Sequence, residues 1–412
     1  MPHIENNAII LGILFVILTF IFETSKSKHP FWQKFYKFVP TLLLCYFIPS
    51  LLNSAGIVDG NNNELYFIAS RYLLPSSLVL FTLSIDLKTF LRLGTKANIM
   101  MLSATFGIII GGPLSIMIVS IFSPETVGGV GPDAVWRGLA TLAGDWIGGG
   151  ANQVAMKEIF NVSDDLFSAM ITVSVIIYGI WMAFLLYGAG ISQKLDRWLN
   201  ADTTAIDQVK EKMEKFQEEI ARIPDFNDLI KILAAAFGIT AIAHFGGDTI
   251  APFIQKQFPQ LQKFSLTTGF FWIIIIATSG GLLLSFTKLR NLEGAGASKI
   301  GSVFMYILVA ILGLKMNILA IFENPCLLLV GVIWIVIHII VIVIVGKLIK
   351  APFFFMAVGS QANIGGAASA PIVAAAFHPS LAPVGVLLAV LGYAIGTYGA
   401  WLCGILMQAV AP

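Results

Sequence analysis

Two stretches of glycine, amide and small residues break apolar segments that would otherwise read as continuous membrane spans, and they limit the possible folds most. The first runs Gly144-Asp145-Trp146-Ile147-Gly148-Gly149-Gly150-Ala151-Asn152-Gln153, the second Gly359-Ser360-Gln361-Ala362-Asn363-Ile364-Gly365-Gly366-Ala367-Ala368-Ser369. A helix in lipid satisfies its own backbone groups, so glycines and amides in mid-segment mark backbone that is buried in protein or faces a water-filled cavity. A gapless shift of 217 residues lays Ile147-Gly148-Gly149 on Ile364-Gly365-Gly366, Phe160 on Phe377, Ser163 on Ser380 and Gly179 on Gly396. That match predicts two homologous halves. Gly-interrupted apolar segments at matching positions in two halves are the sequence pointer to a secondary transporter's binding site.

The surrounding composition fixes the solvent. The chain is 57% hydrophobic and 12% charged, against roughly a quarter charged in a soluble domain. Apolar runs of about 20 residues recur, each long enough to cross a ~30 Å hydrocarbon core as a helix. A formal net charge of +2 spread over short loops gives no reason to expect a nucleic-acid partner. Cys45, Cys326 and Cys403 stand far apart in apolar runs, without the spacing of a disulfide or metal site. The first apolar run lacks a basic flank before it and a small-residue cleavage pattern after it, so it reads as a retained span. The expectation is an all-α polytopic protein of the cell membrane, with the lipid bilayer as its first partner.

Lysines and arginines in short loops orient the spans, because they are retained on the cytoplasmic side. Spans are predicted at about 7–23, 65–85, 97–122 and 163–192, with a further one implied between the Lys37 loop and the outer loop 54–64, then at 229–248, 266–286, 298–318, 325–346 and 380–408. The loop with Lys26, Lys28, Lys34 and Lys37 falls inside, as does the linker 193–228, with Lys194, Arg197, Lys210, Lys212, Lys215 and Arg222. Parity then makes 134–160 a re-entrant hairpin with Gly148–Gly150 at its tip. Arms of 11 to 14 residues at 1.5 Å each reach ~16–21 Å, about half-way across. The second hairpin, 352–377, enters from the opposite face. Residues 1–192 and 229–412 thus form two inverted-topology repeats of five spans and one hairpin; a broken helix crossing fully is the alternative. Ile206, Val209, Met213, Phe216, Ile220 and Ile223 recur at intervals of three and four, the pattern of an amphipathic helix in the cytoplasmic linker.

Asp145, three residues before the Gly148-Gly149-Gly150 tip, is the first candidate for chemistry. An ionised carboxylate in mid-membrane costs at least ~2.5 kcal/mol, so it pairs with a cation such as Na⁺, a proton or an internal donor; a helix-capping role is the structural alternative. Ser360, Gln361 and Asn363 supply further oxygens for ion coupling, while Asn152, Gln153, Asn363 and Ser369 are candidate substrate contacts. Gly148, Gly149, Gly150, Gly365 and Gly366 allow a ligand to approach backbone N–H groups, and helix N-termini beginning at both tips suit an anion. Internal hydrogen bonds that merely tie the hairpins down are the alternative for each amide. Arg71, His244, Asp248 and His338 are left outside the site as snorkelling or paired groups, and Lys157-Glu158 reads as an ion pair on the outer surface. No nucleophile and base, paired aspartates or metal-ligand motif stand out, so an enzyme is not expected.

The paired Gly-Gly hairpins, and Ser360-Gln361-Ala362-Asn363-Ile364-Gly365-Gly366-Ala367 with Pro371 in particular, closely resemble the domain-of-unknown-function 819 family of membrane proteins over nearly the whole chain. More distantly, two inverted halves with Gly-Gly tips are similar to the sodium symporters for citrate and glutamate. That resemblance implies an elevator-type carrier, commonly a homodimer, with sodium and a carboxylate substrate near the tips. The citrate carriers place arginines near their hairpins, whereas Gly365–Ala376 holds no cation and Arg137 lies at the far end of its arm, which argues against a multiply charged substrate. The expected function is secondary transport of a small organic solute with Na⁺ or H⁺ and no other cofactor; an ion channel or a cation/proton antiporter is the alternative.

Overall fold

The computed structural model describes residues 4–36, 39, 41–58, 64–85, 93–202, 206, 224–315, 326–378 and 381–412. Helices occupy all ten places where spans are predicted. They are α1 (Asn7–Ser25), followed by the short α2 (Pro30–Phe35), then α3 (Thr41–Ser54), α4 (Leu65–Leu83) and α5 (Thr95–Ser120). After the first glycine-rich segment, α6 (Val135–Ile159), come α7 (Asp164–Gly190) and the short α8 (Ser192–Leu199). The second half holds α9 (Phe226–Gln257), α10 (Gly269–Ser285), α11 (Ala297–Gly313) and α12 (Cys326–Leu348). It ends with α13 (Phe353–Ile364), α14 (Gly366–Phe377) and α15 (Ala382–Val410). Seven of these helices are long and apolar enough to cross a membrane, and an eighth candidate is α10 joined to the turn Lys288–Ala295, which bends by 96°. No strand occurs among the described residues. The chain is therefore an all-α polytopic membrane protein. Apart from Ile206, the amphipathic stretch of the linker lies outside the described residues.

Both glycine-rich segments double back. In α6 the backbone leaves helical geometry at Gly149, with φ 72° and ψ −175°. A methyl group added to Gly144 would meet the Asn152 carbonyl oxygen at 2.6 Å, although eight residues of straight helix would separate them by ~12 Å. At the second break Gly366 has φ 58°, and Gln361 Nε2 donates to Ser369 Oγ at 2.7 Å. The 144/152 and 361/369 contacts, and the left-handed glycines 149 and 366, fall on the same 217-residue shift. Within the structure these segments are hairpins rather than straight crossing helices; α6 is hairpin 1, and α13 with α14 is hairpin 2.

Packing sorts the helices into two groups. One holds α1, α3, α4, α9, α10 and α11; the other holds both hairpins with α5, α7, α12 and α15. The principal contacts between the groups are those of α6 and α15 against α4 and α10. Local sequence explains how this seam is built. Pro75 has no N–H to give the Arg71 carbonyl; the helix there loosens into a π turn over Ala69–Leu73, and His244 Nε2 donates to the freed oxygen at 2.8 Å. Across the seam Thr278 and Thr397 hydroxyls meet at 3.2 Å, Ser279 and Tyr398 at 2.6 Å, and the Phe81 and Tyr393 rings stack at 4.3 Å.

Candidate functional site

Hairpin 1 is pinned to α15 through its tip. Asn152 is fully buried; its Nδ2 donates to the carbonyls of Gly148 at 3.1 Å and Tyr393 at 3.0 Å, and its Oδ1 accepts from Thr397 Oγ1 at 2.6 Å. Its hydrogen-bonding groups are thus taken up inside the protein, the tie-down role left open by the sequence. Gly148 has no space for a side chain, since a methyl group there would fall 2.2 Å from Asn152 Nδ2 and 2.9 Å from the Gly392 carbonyl oxygen. Gly149 turns the chain, and Gly150 begins the second arm. Gln153 is 2% exposed, and its Nε2 has no hydrogen-bond partner among the described residues.

Hairpin 2 is pinned to α5, α7 and α12. Asn363 Oδ1 accepts from Thr105 Oγ1 at 2.8 Å, and its Nδ2 donates to the Gly359 carbonyl at 2.9 Å and approaches Met101. Ser360 accepts from Trp181 Nε1 at 2.9 Å and meets His338 Nε2 at 2.7 Å. His338 Nδ1 lies 3.0 Å from the Ala104 carbonyl. A carbonyl only accepts, so Nδ1 carries the hydrogen; in a neutral ring Nε2 then accepts the Ser360 hydroxyl. His338, left outside the site by sequence reasoning, thus anchors the first arm of hairpin 2. No local pattern reveals this, because its partners come from two other helices, α5 and α13. Ser369 and Gln361 join the two arms, and the buried Gln361 Oε1 has no hydrogen-bond partner among the described residues.

The two tips come together. The carbonyl oxygens of Ile147 and Ala362 lie 2.7 Å and 3.6 Å from where a methyl group on Gly392 would sit. Asp145, Gly149, Tyr178, Gly365, Ala367 and Tyr393 keep partial exposure at this junction. Asp145 accepts a short hydrogen bond from Ser174 Oγ, which accepts in turn from Trp146 Nε1 at 3.0 Å. One turn along α7, the Tyr178 ring lies 2.7 Å from a methyl position on Gly365, where Ser369 Oγ and Gln361 Nε2 also converge. The same strip of α7 therefore faces Asp145 from hairpin 1 and Gly365, Gln361 and Ser369 from hairpin 2. Asn152 and Asn363 turn instead toward α15 and α5.

Asp145 stands in the last turn of its arm, four residues before the break at Gly149. The capping alternative needs a carboxylate at a helix N-terminus; this one sits at a C-terminal end, and its hydrogen bond goes to a side chain. Freed carbonyls and a carboxylate at the negative end of a helix reinforce each other's charge. Such an end has the chemistry of a cation or proton site.

Membrane-length helices packed around two doubled-back glycine breaks, with a carboxylate where the breaks meet, define a multi-pass protein of the cell membrane with a polar site at the hairpin tips. Residues 12–410 match the family described as "Protein of unknown function (DUF819)", and the chain belongs to that family. A protein of Bacillus subtilis (strain 168), described as uncharacterized membrane protein YjcL, is 23% identical over 349 residues, covering 82% of each chain.

Proposed function

We propose that this protein is an elevator-type secondary active transporter for a small organic solute, a carboxylate, coupled to Na⁺ or H⁺ and working as a homodimer. The observation that carries this proposal is the meeting of the two tips beside Asp145, within a group of helices that meets the rest of the protein along a narrow seam. The coupling cation or proton neutralises Asp145, aided by oxygens of the first arm's C-terminal end. The solute carboxylate lies against the backbone N–H groups that open the second arms at Gly150 and Gly366, with Gln361 and Ser369 beside it. Each charge then offsets the other, so ion and solute bind better together than apart. The hairpins and their companion helices carry both across as one body, and the two halves insert with opposite topology. No bond is made or broken, and no further cofactor is needed.

Purified protein in detergent, screened by thermal shift against Na⁺, pH and small monocarboxylates, is expected to melt higher with one ion and one solute, and higher still with both. In proteoliposomes an ion gradient then drives uptake of that solute, and Asp145→Asn loses ion dependence while retaining solute binding. Ion flux without any solute would overturn the proposal in favour of a channel or a cation/proton antiporter.

A further inference from the structure

At the foot of hairpin 1 the expected surface ion pair is replaced by a largely buried charge network. Lys157 is only 7% exposed. Its Nζ pairs with Asp164 at 2.9 Å and lies 3.9 Å from Glu158. Glu158, whose side chain is 12% exposed, reaches across the seam: one oxygen accepts a short hydrogen bond from the Tyr66 hydroxyl, and the other meets Arg71 at 3.3 Å. Lys157 donates to the Tyr66 oxygen at 3.4 Å, leaving the Tyr66 proton for Glu158. Tyr66 and Arg71 belong to α4, in the group opposite the hairpins.

We propose that Glu158 is the moving half of an ionic latch whose fixed half is Tyr66 and Arg71, and that this latch holds the two groups of helices in the register of this structure. This rests on the two-body transport proposed above. If the groups separate, Lys157 keeps Asp164 within its own body, and Arg71 keeps the face of Phe270, 4.3 Å away, within its own. Glu158 loses both of its close partners and keeps only the looser contact with Lys157. A carboxylate this buried is poorly tolerated without partners, so displacement along the seam must release it to water. The latch therefore favours one end of the stroke, and its strength sets how often that end is left.

A disulfide reporter tests this in the full-length protein. In a background with Cys45, Cys326 and Cys403 replaced, Thr278→Cys and Thr397→Cys report the register, because these side-chain oxygens are 3.2 Å apart across the seam. Glu158→Gln and Tyr66→Phe are expected to slow oxidative cross-linking several-fold by depopulating this register. Glu158→Arg alone acts in the same direction, and adding Arg71→Glu restores cross-linking; this rescue separates latching from misfolding. Unchanged cross-linking in Glu158→Gln, in protein whose cross-linking still responds to coupling ion or solute, would overturn the latch and leave two-body transport standing. Undiminished transport by fully cross-linked protein would overturn the two-body motion itself, and the latch with it.

Discussion

Each hairpin tip contains one glycine that supplies a backbone conformation and one that supplies space, and alanine substitutions separate the two demands. At Gly149 a methyl group meets nothing closer than Tyr393 Cε1, at 3.6 Å, so Gly149→Ala tests conformation alone. Its φ of 72° with ψ of −175° belongs to a region essentially reserved for glycine, where another residue is strained by ~1–3 kcal/mol. At Gly148 φ is ordinary, but the methyl group would fall 2.2 Å from Asn152 Nδ2. That amide can move only by giving up hydrogen bonds to Gly148, Tyr393 and Thr397, and each buried group left unpaired costs ~1–3 kcal/mol. An unfolding entropy of ~2.1 cal/mol/K per residue makes 1 kcal/mol worth roughly 1.2 °C for a chain of this length. Gly149→Ala is then expected to lower the melting temperature by ~1–4 °C, and Gly148→Ala by roughly 4–8 °C. Scanning fluorimetry at one slow heating rate in detergent measures both. The second tip should repeat the order, Gly365→Ala below Gly366→Ala, because the methyl group would fall 1.9 Å from Ser369 Oγ at the first and meets nothing within 4 Å at the second. A Gly149→Ala protein as stable as the parent would refute the strained turn; Gly148→Ala no worse than Gly149→Ala would refute the packing account.

Asn152→Leu removes three hydrogen bonds while keeping the branching and number of side-chain heavy atoms, and is expected to destabilise by about 2–5 kcal/mol, read as a lower melting temperature and faster amide exchange at Tyr393 and Thr397. Asp196 Oδ1 accepts from the Phe353 N–H at 2.7 Å, capping hairpin 2 from α8. Asp196→Ala should therefore raise proteolysis near residue 353 by an amount fitting ~1 kcal/mol, while Asp196→Asn, which keeps the acceptor, should not. The proposed topology predicts that membrane-impermeant maleimide applied to intact cells labels Gly128→Cys and not Ala205→Cys; the reverse pattern would refute the orientation.

The sequence located the helices and both breaks well, because lipid enforces long apolar runs and tolerates glycine and amides only where protein or water meets the backbone. The hairpins predicted at 134–160 and 352–377 compare with Val135–Ile159 and Phe353–Phe377. Pairings carried by tertiary packing were not legible. Arg71 reads from the sequence as snorkelling or paired, but nothing local names its carboxylate partner, which is 87 residues away. His338 read as a lone ionisable group, and its ring is held by Ala104 and Ser360. Composition also cannot tell an amide that faces a cavity from one absorbed by hydrogen bonds inside the protein. Asn152 and Asn363 are of the second kind, while Asp145 shares its strip of α7 with Gly365 and Ser369.

Helix α15 meets both hairpins through positions that lack a side chain. A methyl group on Gly385 would fall 2.4 Å from the Ala370 backbone, one on Gly392 2.7 Å from the Ile147 oxygen, and one on Gly396 2.5 Å from Gly148 Cα. Contacts of main chain on main chain contain no rotamers, and without rotamers there is no slack to absorb a misfit. The spacing of the two tips is therefore set largely by close backbone packing against α15, with the Asn152 side chain fixing the first tip to it. If the protein is the transporter proposed above, a solute between them meets a gauge of fixed width. Discrimination by size then belongs to the backbone, and exchanging the polar side chains around the gap retunes chemical preference while the width stays the same.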